Sequence, residues 1–106
     1  MLIKRHCIVC EKQLLSACCS PSADPDKYKS GLMEISDPPN DGICATSYGN
    51  WGSTVLDSGY PGGYYIEFNV CDKCLKDKAR KGFIHKITKR DKPQLNKDCK
   101  VEVWNG

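Results

Sequence analysis

The chain has 106 residues, a net charge of +3 and eight cysteines. This size predicts one small domain that gains from a second source of stability beside its core. No apolar run approaches the roughly 20 residues that span a bilayer, and residues 1–6 lack the apolar stretch of a signal peptide. We therefore expect a cytoplasmic protein in a reducing compartment, with no membrane partner.

Two Cys-x2-Cys pairs frame most of the chain. Cys7 and Cys10 form the first cysteine pair, Cys71 and Cys74 form the second, and 60 residues separate them. A tight Cys-x2-Cys turn presents two sulfurs to one ion, and zinc binds four thiolates tetrahedrally at about 2.3 Å. The spacing predicts one structural Zn²⁺ ion held by all four, in preference to a disulfide framework or a redox dithiol.

The chain before the second pair reads mainly as strands and loops. The pattern over residues 2–15 predicts a strand, a knuckle turn and a returning strand. The composition of residues 16–42 predicts a loop-rich insertion with a short strand or turn at 29–35. Three strands at 43–47, 53–57 and 64–70, with a glycine-bracketed turn at 48–52, predict an antiparallel meander. Alternation predicts that one face of the last strand is core, formed by Tyr64, Ile66, Phe68 and Val70.

A helix is predicted from the second pair to about residue 81, with Asp72 at its N-terminal end and Gly82 as its stop. Leu75, Ala79 and Phe83 share one predicted face. Residues 83–106 form a basic C-terminal extension with strands at 83–88 and 100–104 and a basic turn at 89–93. The prediction is one zinc-binding domain over 1–106, of small α+β class with one helix, and its knuckle and cysteine-led helix resemble a treble clef or zinc ribbon.

A narrower resemblance rests on the strings at residues 48–57 and 65–75, read together with the first cysteine pair. They include the turn Tyr48-Gly49-Asn50-Trp51-Gly52 and the helix start Cys71-Asp72-Lys73-Cys74-Leu75. They resemble a family of small proteins of bacteria and their phages for which no activity is assigned. The match covers roughly residues 5–80. The resemblance implies the zinc site and transfers no mechanism.

Charge is unevenly distributed along the chain. Residues 72–92 hold nine Lys or Arg against three Asp or Glu, a net +6, whereas residues 11–70 hold three Lys against eight acidic residues, a net −5. Such asymmetry indicates a polyanionic or acidic partner for the basic segment. The candidate contacts there are Lys76, Arg80, Lys86 and Arg90. A solvated helix with a lysine-rich tail is the alternative interpretation.

Six of the nine aromatic residues lie between Tyr48 and Phe68. Phe68 and Tyr64 are predicted core. The candidates for partner contact are the three aromatic residues in turns, namely Tyr48, Trp51 and Tyr60. Stacking on unpaired bases is one use of such rings, and local packing is the commoner one.

The remaining cysteines and histidines give weaker signals. Cys18, Cys19, Cys44 and Cys99 are predicted to be small buried thiols, with a second metal site as the alternative. His6 adjoins Cys7 and is expected to be exposed, with replacement or support of a metal ligand as the alternative, and His85 lies in the basic extension. No His-x-Glu motif of a zinc deaminase occurs, and four thiolates leave no open position for water.

The sequence therefore favours a non-enzymatic, zinc-stabilised protein–protein interaction module without a small-molecule substrate. The expected partner is a host protein that a phage or mobile-element product modulates. The alternative is a nucleic-acid-binding module that uses the basic segment 72–92, although no nucleic-acid motif is present.

Overall fold

A computed structural model describes residues 1–18, 25–57, 64–89 and 99–106. The chain falls into two compact units, Met1–Cys71 and Asp72–Gly106. A single domain over 1–106 stays a prediction. The elements in chain order are β1 Leu2–Ile3, β2 Arg5–His6, β3 Gln13–Leu14, α1 Pro25–Ser30, β4 Met33–Glu34, β5 Gly42–Ser47, β6 Ile66–Cys71, α2 Asp72–Arg80, β7 His85–Lys89 and β8 Cys99–Val103.

The described residues of the first unit form three antiparallel strand pairs. β1 pairs with β4, β2 with β3, and β5 with β6. β2 and β6 are joined by a parallel bridge between Cys7 and Asn69, where the Ile8 amide donates to the Asn69 carbonyl at 2.9 Å. These short pairs and two helices confirm the small α+β class. The sequence predicted a single helix, which corresponds to α2. The additional helix, α1, lies inside the segment 16–42 that was expected to be a loop-rich insertion.

In the long pair β5–β6, strand β6 has its buried residues on its polar face. Its register sets Gly42 opposite Cys71 and Ser47 opposite Ile66, so that alternate residues of β6 share a face. Asn69 and Cys71 are buried and Glu67 is half-buried, whereas Ile66 and Tyr64 are exposed. The prediction that Tyr64 and Ile66 belong to a core face is therefore wrong. On the buried side of β6, Glu67 pairs with the buried Arg5 and Asn69 forms a bridge with the buried Cys7.

Residues 53–57 form irregular chain with a bend at Thr54 and Val55, and the predicted strand there is wrong. The Ser53 hydroxyl accepts the amide N–H groups of Val55 and Leu56 at 3.2 and 2.9 Å. Such side-chain bonds compete with a strand ladder. β5 therefore pairs directly with β6, in place of the predicted three-stranded meander.

In the second unit, α2 begins at Asp72, before Cys74, and Gly82 ends it. Gly82 has a φ of 77°, which glycine adopts without steric cost. Its amide donates to the Ala79 carbonyl, and the Phe83 amide donates to the Lys78 carbonyl, at 3.0 and 3.3 Å. These two bonds satisfy the last carbonyls of the helix in a Schellman cap. Phe83 thus lies outside the helix and is exposed, which corrects the predicted helix face.

After α2 the chain forms the antiparallel pair β7–β8, with His85 opposite Val103 and Lys89 opposite Cys99. The Trp104 amide extends this pairing by donating to the Ile84 carbonyl at 2.8 Å. Both predicted strands of the C-terminal extension are therefore confirmed, with bounds shifted by one or two residues. The predicted basic turn lies largely outside the described residues.

Candidate metal centre

The first cysteine pair lies in a tight turn between β2 and β3. The Cys7 amide donates to the Lys12 carbonyl and the Glu11 amide donates to the Cys7 carbonyl, both at 2.8 Å. Glu11 closes the turn with a φ of 67°, in the left-handed region. The Val9 amide donates to Cys7 Sγ at 3.4 Å. This is the predicted knuckle, with an amide directed at a sulfur.

The second cysteine pair spans the junction of β6 and α2. Cys71 is the last residue of β6, and Cys74 follows in the first turn of α2. One turn of helix therefore sets the position of the Cys74 sulfur relative to Cys71. The N-terminal end of a helix carries partial positive charge and unpaired N–H groups, which stabilise thiolates.

The four cysteines come together as one cluster. The Sγ atoms of Cys7, Cys10, Cys71 and Cys74 all lie within 4.8 Å of one another, and those of Cys10 and Cys71 are 3.7 Å apart. A tetrahedral ion with sulfur at about 2.3 Å places its ligands about 3.8 Å from each other. The cluster therefore has the ligand number, ligand type and spacing of a four-thiolate metal site. Cys7 and Cys71 are buried, Cys74 is half-buried and Cys10 is exposed.

The electrostatics of Cys7 favour its thiolate. Burial raises the pKa of this thiol, but hydrogen bonds from the amides of Cys10, Cys71 and Val9, and from the Cys10 thiol, outweigh burial and lower the pKa to about 6. Metal ions bind the thiolate form of cysteine. The backbone around Cys7 is thus arranged to present a ligand at neutral pH.

Arg5 is a supporting residue that the motif analysis did not identify. It is 3% exposed, and its Nε donates to Glu67 Oε1 at 2.9 Å while its Nη atoms donate to the carbonyls of Asp37 and Ile35 at 2.6 and 3.0 Å. Arg5 precedes Cys7 by two residues, and Glu67 precedes Cys71 by four. Arg5 and Cys7 are two residues apart in a segment predicted to be extended, so the sequence places them on the same face of the chain. This spacing is the signal by which Arg5 could have been found.

Cys44 lies near this ion pair. Partial desolvation of the sulfur, a hydrogen bond to Glu67 and the charge of that carboxylate raise the pKa of the Cys44 thiol, against the opposing effect of Arg5. Cys18 and Cys44 are free and exposed, so the prediction of small buried thiols is wrong for both. Cys19 and the side chain of Cys99 lie outside the described residues. Neither Cys18 nor Cys44 belongs to the four-cysteine cluster.

Histidines do not join the cluster among the described residues. His6 lies in β2 opposite Gln13 and is exposed, as the sequence predicted. His85 begins β7 and is exposed as well. The ligand set of the described cluster is therefore sulfur alone.

A second feature of the first unit is an exposed group of mostly aromatic side chains, which we term the aromatic surface. Tyr48 is 70% and Trp51 is 87% exposed. The rings of Tyr48 and Tyr65 lie 5.3 Å apart between centroids. Val55, Tyr64 and Tyr65 complete the aromatic surface. Tyr60, the third predicted aromatic contact, lies outside the described residues.

An open cavity of about 280 Å³ adjoins the aromatic surface. Its lining consists of residues from the turn after β5 and from the approach to β6, namely Tyr48, Ser53, Thr54, Val55, Leu56, Asp57 and Tyr64. All of these residues belong to the first unit. Sequence reasoning did not predict a cavity here, because it assigned residues 53–57 to a strand.

The predicted basic contacts lie in the second unit. Lys76 and Arg80 are exposed on α2, one helical turn apart, and Lys86 is exposed on β7. Arg90 lies outside the described residues. No helix in the described part of the chain is long and apolar enough to cross a bilayer.

No protein-family model, curated protein or solved structure matches the chain.

Proposed function

We propose that the chain is a non-catalytic module, stabilised by one structural zinc ion, that binds another protein through its aromatic surface. The observation that carries this proposal is the exposure of large apolar side chains on one stretch of the first unit, beside a cavity. Tyr48, Val55 and Tyr64 line that cavity, and exposed apolar side chains grouped in this way mark interaction sites on soluble proteins. Aromatic side chains dominate the binding energy of protein interfaces.

Zinc is the ion that this ligand set favours. A tetrahedral set of four thiolates selects zinc or an iron–sulfur centre among the common metals, and zinc sites of this composition are structural because no position is open to water or substrate. The knuckle between β2 and β3, with the second pair entering α2, supports a treble-clef or zinc-ribbon arrangement. Such a closed site supports a scaffold and not a reaction centre.

The partner we propose is a protein of the host cell, with the chain acting as a phage or mobile-element product. The test is capture of partners from a nuclease-treated bacterial lysate, followed by direct titration of the captured protein. Trp51→Ala should weaken binding by about 2 kcal/mol or more, about thirtyfold in Kd. Ile35→Ala removes an exposed apolar side chain outside the aromatic surface and should leave Kd unchanged.

A second candidate function, nucleic-acid binding, is favoured by the charge of the second unit. Residues 72–106 contain eleven Lys or Arg against five Asp or Glu, a net +6. If this unit grips a phosphate backbone, affinity falls steeply with salt because counterions are released, and reversal of Lys76, Arg80 and Lys86 to Glu abolishes binding. Micromolar, salt-sensitive binding to random DNA or RNA that Trp51→Ala leaves intact would overturn the protein-partner proposal.

A further inference from the structure

One side of the cavity beside the aromatic surface is fixed by hydrogen bonds within residues 50–56. The Asn50 amide donates to the Leu56 carbonyl at 3.2 Å, and the Ser53 amide donates to the Asn50 carbonyl at 3.1 Å. The Ser53 hydroxyl accepts two further amides, those of Val55 and Leu56. A site whose walls are formed before binding loses less conformational entropy on binding.

The lining has a definite chemical character. Tyr48 and Tyr64 contribute aromatic rings, Val55 and Leu56 contribute apolar groups, and Asp57 contributes a carboxylate. The faces of aromatic rings attract cations, and the carboxylate does the same. None of the seven lining residues is Lys or Arg, so the lining carries one negative formal charge and no positive one.

Charge on the whole first unit has the same sign. Residues 1–71 contain five Lys or Arg and eight Asp or Glu, a net −3. A cationic partner is therefore attracted to this unit before it reaches the cavity. The cavity, at about 280 Å³, lies below the roughly 300–1,000 Å³ of pockets that enclose a drug-sized molecule. One long side chain suits its size.

We infer that the cavity receives an arginine side chain of the protein partner, with the guanidinium between the tyrosine rings and the Asp57 carboxylate. This inference rests on the proposed function and names the chemistry of the partner. Arginine fits better than lysine because its planar guanidinium stacks on aromatic faces and forms bidentate hydrogen bonds with a carboxylate.

The test uses a blocked tripeptide, acetyl-Gly-Arg-Gly-amide, with the full-length zinc-loaded protein. Its matched control contains citrulline, which has almost the same shape and no charge. In two-dimensional NMR titrations the arginine peptide should shift the signals of Tyr48, Val55 and Tyr64 and bind at least tenfold more tightly than the citrulline peptide. Equal binding of both peptides, or no shift at these residues, would overturn the inference.

Variants separate the role of charge from that of folding. Asp57→Asn should weaken binding of the arginine peptide at least tenfold, whereas Asp41→Asn, the same change at an exposed carboxylate outside the lining, should not. Asp57 makes contacts of its own, so Val55→Lys provides a second variant at a side chain that is 87% exposed. Its ammonium group should compete for the cavity and abolish peptide binding. Unchanged affinity in either cavity variant contradicts the inference.

The two proposals fail in different ways. Excess arginine peptide should displace the captured protein partner, and the citrulline peptide should not. If Trp51→Ala abolishes capture while Asp57→Asn and the arginine peptide have no effect on it, the arginine inference is wrong and the protein-binding function stands. If none of these changes affects capture, the aromatic surface is not the interface and both proposals fail.

Discussion

Arg5 donates from Nε to Glu67 Oε1 across 2.9 Å, with 2% of the arginine side chain and 23% of the glutamate side chain exposed. This ion pair joins the strand that leads into the first cysteine pair to the strand that leads into the second. It is therefore placed to hold β2 and β6 in register beside the four-cysteine cluster. Its energetic role can be measured separately from that of the metal.

Removal of the Glu67 charge should destabilise the protein strongly. Glu67→Gln leaves the buried guanidinium without its counter-ion, and breaking a buried pair in this way costs about 3–5 kcal/mol. Glu102→Gln is the control, because Glu102 pairs with Lys100 in solvent and such pairs contribute at most about 1 kcal/mol. Urea unfolding of the zinc-loaded proteins at pH 7 measures both. Equal losses of unfolding free energy in the two variants would show that the Arg5–Glu67 pair contributes no more to stability than a pair in solvent.

The same pair predicts a pH dependence. The hydrogen bond from Arg5 holds the pKa of Glu67 below its ordinary value of 4.5, against the opposing effect of burial. Because the folded-state pKa is the lower one, the stabilisation is complete above the unfolded-state pKa and is lost as pH falls through the folded-state value. The gap in unfolding free energy between the unmodified protein and Glu67→Gln should thus be constant near neutrality and narrow below pH 4.5. Any bound metal is released in acid from both proteins alike, so this release does not alter the gap. A gap that widened in acid would contradict the lowered pKa assigned to Glu67.

The purified protein should contain one zinc ion per chain. Cys7→Ser or Cys71→Ser should remove the ion and unfold the protein, since structural zinc contributes on the order of 10 kcal/mol to folding. Cys44→Ser, outside the cluster, should keep both metal and fold. Elemental analysis and circular dichroism provide the readouts. A folded, reduced and metal-free sample would refute the zinc assignment, and two ions per chain would restore the second-site alternative.

Glu11 occupies a backbone conformation that favours glycine. Its φ of 67° brings Cβ close to the following carbonyl, so Glu11→Gly should stabilise the zinc-loaded protein by about 0.5–1 kcal/mol. Asp41 has a φ of 57°, and aspartate tolerates this region better, so Asp41→Gly should gain less. Thermal unfolding measures both changes. A lower melting temperature for Glu11→Gly would contradict this account.

Two glycines bracket the aromatic turn, and their substitutions should differ. A Cβ at Gly49 would lie 2.3 Å from the Leu56 carbonyl oxygen, whereas a Cβ at Gly52 meets nothing within 4 Å, and both residues have positive φ. Gly52→Ala should therefore cost about 1 kcal/mol, and Gly49→Ala should cost more and displace the walls of the cavity. NMR shifts of Tyr48 and Leu56 report the difference. Identical spectra for the two variants would show that the steric contact is relieved easily.

Sequence reasoning predicted that the four cysteines come together, because metal chemistry restricts the spacing of cysteine ligands in a chain. The motifs that begin at Cys7 and Cys71 could be assigned to one site without knowledge of the fold, because each Cys-x2-Cys motif is recognised from neighbouring residues. The end of the helix at Gly82 followed from the conformational freedom of glycine. Tertiary packing does not alter either of these local signals. Zinc itself stays a prediction.

The burial of β6 could not be predicted from its own residues. The apolar alternation at Ile66 and Phe68 indicates one buried face, but Glu67 and Asn69 lie on the face that is buried. The deciding partners, Arg5 and Cys7, lie some 60 residues earlier in the chain. The cavity could not be predicted for a related reason. The hydrogen bonds to the Ser53 hydroxyl prevent a strand at residues 53–57, and such bonds are not visible in the hydrophobic pattern of the sequence.

The distance along the chain between the two cysteine pairs also sets an order of events during synthesis. Cys74 leaves the ribosome 64 residues after Cys10, which takes roughly 3–13 s at typical rates of translation. Throughout that interval the first pair is a two-thiol fragment with half of its coordination sphere missing. The four-thiolate site can close only after β6 and the first turn of α2 have emerged. Loading of the proposed zinc ion by all four thiolates is therefore a late event in the synthesis of this protein.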